Sequence, residues 1–209
     1  MEEWEPAKEY AVQIKGIYTA IDLMLKHRTS YSNELQAFGH MNVVDKEVFK
    51  GLKKQMKEIT NTITKLENKA LELVKANPGE VYDNLLLIPS IGKKTATMLI
   101  ALTNEFKNFH TCKQLASYIG ICPRVYQSGT SVKGKGKICK MGMSRMRAML
   151  FICSLTAIRG NKACREMFER LVENGKPKKL ALVAVMNKLL KQAFAIATKN
   201  QKYMEITLN

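Results

Sequence analysis

The chain has 209 residues, 46% of them apolar, enough for one or two domains with a sizeable core. Its net charge of +16 points to a polyanionic partner and argues against a purely structural role. Read from the sequence, neither a signal peptide nor an apolar run long enough to span a bilayer is expected. A membrane-surface reading would need a basic amphipathic helix with an exposed aromatic, and the single Trp, Trp4, lies in the neutral part of the chain.

The charge is unevenly placed. Residues 1–80 hold 12 basic and 12 acidic residues, whereas residues 81–209 hold 22 and 6 and carry the whole excess. Between Glu105 and Glu166 there are 12 basic residues and no acidic one, a block that favours nucleic acid. Cys112, Cys122, Cys139, Cys153 and Cys164 are odd in number and lack a C-x-x-C pair. Reduced thiols in a cytoplasmic, nucleoid-associated protein fit that pattern better than disulfides or zinc.

In chain order, residues 4–29 predict a helix, with Tyr10, Ile14, Ile17, Ile21 and Met24 on one stripe. Thr29 to Asn33 predicts a break, and the short segment NELQAF follows. Asn42 to Asp45 predicts a second break, with Asp45 as N-cap. The next helix spans Lys46 to Ala76. Leu52, Met56, Ile59, Ile63, Leu66, Ala70 and Leu73 alternate by four and three, the seam of a coiled coil or helical hairpin. Such a seam packs on the first helix of its own chain or pairs two protomers into a homo-oligomer, and both readings stay open. Asn77-Pro78-Gly79 ends the helix and sets a boundary. The expected domains are thus 1–80, a coiled coil or hairpin, and 81–209.

Past the boundary, Ile88-Pro89-Ser90-Ile91-Gly92 separates two helical segments in the manner of a helix-hairpin-helix motif. In this reading Gly92 makes the tight turn, and the amides of the following helix stand beside Lys93 and Lys94, suited to a phosphate. The plain alternative is a core helix connection. Thr111 predicts the cap of a short helix with Leu115, Tyr118 and Ile119 facing inward. The stretch Pro123 to Leu150 contains no acid. Lys133, Lys135, Lys137, Lys140, Arg145 and Arg147 are its cations, and Gly129, Gly134, Gly136 and Gly142 let its backbone bend. A largely buried helix is expected from Ser144 to about Ile158. Arg145 and Arg147 in its first turn oppose the helix dipole, which suggests an external anion. Helices over Asn161–Glu173 and Lys178–Lys199 complete an all-α protein, with room for one small hairpin between Arg124 and Ile138.

Four segments carry a family resemblance: IPSIGKKTATMLIA, LASYIGICPR, YQSGTSVKGKGKICKMG and GKPKKLALVAVMNKLL. In their order and spacing they resemble the C-terminal transposase domain of the IS-one-ten family of insertion-sequence recombinases, across about residues 82–203. The resemblance implies DNA as partner, a guide (bridge) RNA in some members, and a serine nucleophile in a Ser-Gly motif, which is Ser128 here; Thr130 and Ser131 are competing hydroxyls in the same loop, and the motif alone selects Ser128. Family members begin with an RNase-H-like domain whose acidic residues bind magnesium. Nothing in this sequence resembles it, so Mg2+ is expected only with that domain and no cofactor in this chain. One departure is Met143, where the family carries Asn or Asp. The expected DNA-binding residues are Gly92, Lys93, Lys94, Lys133, Lys135, Lys137, Lys140, Arg145 and Arg147. The expected function is the DNA-binding, serine-bearing part of a transposase. The alternative is a non-catalytic helix-hairpin-helix fragment that pairs with full-length transposase.

Overall fold

A computed structural model describes residues 8–41, 45–77, 79–124, 127–128, 132–133, 137–139, 141–199 and 203, with backbone only at 124, 127–128, 132–133 and 137. Its helices are α1 (Glu9–Gly39), α2 (Lys46–Ala76), α3 (Glu80–Leu86), α4 (Lys93–Thr103), α5 (Cys112–Ile119), α6 (Ser144–Gly160), α7 (Lys162–Glu173) and α8 (Lys178–Lys199). Four two-residue strands lie between α5 and α6: β1 (Pro123–Arg124), β2 (Gln127–Ser128), β3 (Val132–Lys133) and β4 (Lys137–Ile138). The fold is all-α, as its periodicities require. The chain divides into two compact units, Met1–Asn77 and Pro78–Asn209.

In the first unit α1 and α2 pack on one another, so the heptad seam is used within the chain. Each seam position from Leu52 to Leu73 is buried or half-buried, whereas Lys53, Lys57, Glu58, Lys65 and Glu72 are exposed. Asp45 caps α2, its carboxylate accepting from the amides of Glu47 at 2.7 Å and Val48 at 3.2 Å. The expected break at Thr29–Asn33 does not occur. The run is polar, but Thr29 Oγ1 donates to the Leu25 carbonyl at 2.9 Å, a back-bond that lets a polar residue stay helical. The packing face of α1 is also shifted. Ala11 and Tyr18 are buried with Tyr10, Ile14 and Ile21, while Ile17 and Met24 are only half-buried.

The second unit is built on α8, which packs against α3, α5, α6 and α7. Ala181, Val185, Met186, Leu189, Leu190, Ala193 and Ile196 form its buried face. This helix does have the length and mean apolarity to cross a membrane, contrary to the expectation from sequence, and its place among four helices accounts for that apolarity. Asn161 caps α7 at the Cys164 amide and bonds Gln192 of α8, which satisfies a fully buried polar side chain. The Arg165 guanidinium donates to the Ile158 and Arg159 carbonyls at the end of α6, where a cation is favoured. α6 is less buried than its composition suggests: Ile152 is 63% and Leu155 43% exposed.

The link from α4 to α5 turns through Asn104, Glu105 and Phe106, all at positive φ. Thr103 stitches it, donating to the Leu99 carbonyl and accepting from the Phe106 amide. Phe106 is buried edge-on against Phe194 at 6.2 Å. α5 opens with a reciprocal capping box between Thr111 and Gln114, worth about 1 kcal/mol. Leu115 and Ile119 face inward as expected, but Tyr118 is exposed and leans on the Phe109 ring at 5.2 Å.

Candidate nucleic-acid interface

The basic stretch folds back on itself. β1 pairs antiparallel with β4, setting Pro123 opposite Ile138 and Arg124 opposite Lys137. β2 pairs antiparallel with β3, setting Gln127 opposite Lys133 and Ser128 opposite Val132. Ser128 therefore belongs to a backbone pair whose two strands, β2 and β3, run in opposite directions. Lys135, Lys140, Gly129, Gly134 and Gly136 lie outside the described residues. The register places two cationic residue types directly opposite each other at 124 and 137.

The root of this hairpin is held tightly. Gly120, at φ +83, follows α5, and Gly142, at φ +111, precedes α6. A Cβ at Gly120 would meet the Met141 carbonyl oxygen at 1.9 Å, and one at Gly142 would meet the Tyr118 carbonyl oxygen at 2.3 Å. Both the backbone sign and the space thus require glycine. Arg147 completes the root: one guanidinium nitrogen, Nη1, donates to the Ile119 carbonyl at 2.9 Å. Arg147 begins α6, where a cation opposes the dipole, but its head group reaches the C-terminal end of α5, where a cation is favoured. An internal acceptor thus takes up part of the charge that the sequence assigned to an external anion. Arg145 is half-buried in the same first turn. Met143 is the N-cap of α6 and makes no side-chain cap, so this helix starts without the bond that Asn or Asp would supply.

The second candidate element is the turn between α3 and α4. Ile88 is buried, and the Ile91 amide donates to its carbonyl at 3.0 Å. Gly92 is the N-cap of α4, with no side-chain cap. Lys93 and Lys94 are exposed beside it. The expectation that the tight turn needs Gly92 does not hold. Gly92 has φ −88, and a Cβ there would meet nothing within 4 Å. The left-handed residue is Ser90, at φ +82.

Sequence reasoning missed the wall facing this turn. Ser90, Ile91 and Gly92 share a groove of about 620 Å3 with Thr156, Arg159 and Gly160 at the end of α6. No local motif marks Arg159; only the packing of α4 on α6 brings it there. Beneath the turn, Cys153 lies 3.4 Å from Thr95 Oγ1, and burial pushes its thiol pKa up. The structure brings Lys93, Lys94 and Gly92 together at one turn, Ser128 and Lys133 onto the β2–β3 pair, and Lys137 onto the β1–β4 pair. Among the described residues no three His, Cys, Asp or Glu side chains gather as a metal cage.

Comparison with known proteins matches this unit to one family. The description "Transposase IS116/IS110/IS902 family" covers residues 82–169. The pilin gene-inverting protein of Moraxella lacunata is 33% identical over 147 residues, 69% of this chain and 46% of that protein. The transposase for insertion sequence element IS1111A of Coxiella burnetii is 26% identical across 91% of this chain and 60% of its own length. An uncharacterized 43.6 kDa protein of insertion element IS110 from Streptomyces coelicolor is 27% identical over 131 residues, 63% of this chain and 32% of that protein. The chain thus spans about half the length of the curated relatives it matches. Through the α3–α4 turn, α5, the basic hairpin and α6, this chain belongs to the IS116/IS110/IS902 transposase family.

Proposed function

We propose that the second unit grips DNA phosphates with the basic hairpin and the α3–α4 turn, and that Ser128 is the nucleophile of a recombination reaction. The observation that carries this reading is the backbone register, which sets Arg124 opposite Lys137 and pairs Ser128 with Val132, next to Lys133. Two family members named for transposition and for pilin gene inversion support a reaction on DNA. The Ser128 hydroxyl oxygen forms a bond to phosphorus while the phosphodiester's bond to one sugar oxygen breaks. The proton lost from serine is balanced by the one gained on the leaving sugar oxygen. The phosphoserine link keeps the bond energy for rejoining, when a sugar hydroxyl attacks back. Lys133 and Lys137 on the ladder offset charge that develops on the phosphate. Lys93, Lys94 and Arg159 hold the duplex at the turn without reading sequence.

One observation favours a second reading, a binding fragment without chemistry: the chain spans about half the length of the relatives it matches. A duplex carrying a bridging phosphorothiolate separates the two readings, because its sulfur leaves readily and attacks back poorly. The full chain is expected to form a covalent adduct that mass spectrometry maps to Ser128. Ser128→Ala is expected to lose the adduct and keep the same salt-dependent affinity. An adduct that survives the substitution, or that maps elsewhere, overturns the assignment. Binding without any adduct leaves the fragment reading standing. A structured RNA competing for the same surface, at equal salt, tests the guide.

A further inference from the structure

The root of the hairpin carries a feature that the reaction does not use. The β1–β4 register, extended one step outward, sets Cys122 opposite Cys139. The Cys139 amide donates to the Cys122 carbonyl at 3.0 Å, which fixes that step of the ladder. Directly opposed residues in an antiparallel pair have Cα atoms about 4.5–5.5 Å apart and side chains on one face. A disulfide needs Cα atoms about 4.4–6.8 Å apart, a range that contains the spacing of directly opposed residues. Both thiols are free and half-buried, hence within reach of a small oxidant. Cys122 Sγ rests 4.0 Å from Ser117 Oγ, a weak contact that a side-chain rotation gives up.

The other three thiols are placed differently. Cys153 and Cys164 are buried. Burial pushes the Cys164 thiol pKa up to about 11 and raises those of Cys153 and Cys112 as well. Such thiols carry little thiolate near neutral pH and react slowly.

We propose that Cys122 and Cys139 are a dithiol modification site that a peroxide converts to a disulfide across the hairpin root. One thiolate attacks the peroxide, its O–O bond breaks, and a sulfenic acid forms with loss of water. The second thiolate displaces the sulfenic hydroxyl, the S–S bond forms, and a second water leaves. Two thiols are oxidised by two electrons and one peroxide is reduced to two waters, taking up both thiol protons. The bond closes residues 122–139 into a ring, with Ser128 and the ladder lysines inside it. Gly120, Gly142 and Arg147 already fix the chain on either side, so the bond adds a covalent lock to a stiff root.

The test uses the full chain and no DNA, so it stands or falls apart from the reading of the hairpin as a DNA grip. The chain is treated with hydrogen peroxide, unreacted thiols are alkylated, and peptides are mapped with and without reductant. The expected result is a Cys122–Cys139 linked pair lacking two hydrogens, in one chain. Light trypsin cleavage at Lys133 or Lys137 then leaves fragments joined until reductant is added. Cys122→Ser and Cys139→Ser each lose the link. Wild-type mapping alone decides the matter if either variant fails to fold. A disulfide between chains, a link to Cys112, or sulfinic acid at either cysteine overturns the proposal, as does recovery of both thiols unmodified.

Discussion

Two joints of the second unit handle their glycines in opposite ways. At the hairpin root, Gly120 and Gly142 have left-handed φ and press against backbone oxygens on the opposing segment. At the α3–α4 turn, Gly92 has an ordinary φ and open space where a side chain would sit, while Ser90 takes the left-handed position. The root glycines serve the fold. Gly92 leaves a bare backbone in the groove that Arg159 also lines, beside the exposed Lys93 and Lys94, and the proposed grip on phosphate would use that open space.

The comparison predicts a separation of effects. The largest belongs to Gly120→Ala or Gly142→Ala. A left-handed alanine costs about 1–2 kcal/mol, and forcing extra volume into a packed site about 1–3 kcal/mol more. Denaturant midpoints are expected to fall accordingly, with loss of the hairpin. A midpoint unchanged from wild type would break the comparison on that side. Lys93→Gln and Lys94→Gln are expected to leave the midpoint alone. Each should lower nucleic-acid affinity and reduce the salt slope by about 1, whatever the sequence of the duplex. The smallest effects fall on the turn backbone. Gly92→Ala should shift stability by less than about 0.5 kcal/mol, as for a surface change without a structural cause, and still weaken binding. Ser90→Gly should raise stability by a few tenths to about 1 kcal/mol by relieving its backbone. A large stability loss in Gly92→Ala would return that glycine to a structural role.

Much of the fold was legible in the sequence, for physical reasons. The four-three alternation from Leu52 to Leu73 reads as a seam because few other arrangements bury that stripe. Asp45 and Thr111 read as caps because their side chains satisfy amides that the helix leaves open. Thr29 to Asn33 read as a break because polar residues compete with the helix only on average, and whether Thr29 back-bonds is settled by geometry. Tyr118 fits an inward face by spacing, yet its ring finds Phe109 across the loop. The basic stretch was legible as charge. Its register, the tight root at Gly120 and Gly142, the bond from Arg147 to Ile119, and the approach of Arg159 to Ser90 all depend on distant segments meeting. Residues 119 and 147 touch only because α5 and α6 pack, and no local spacing encodes that.

The central claim is that the second unit holds nucleic acid by its phosphates. The most direct measurement is the affinity of the full chain for a duplex of arbitrary sequence across a series of salt concentrations. The account predicts log affinity falling linearly with log salt, with a slope of several phosphate contacts at about 0.9 each, and little change when the sequence is scrambled. An affinity that does not change with salt, or no binding at low salt, would contradict it.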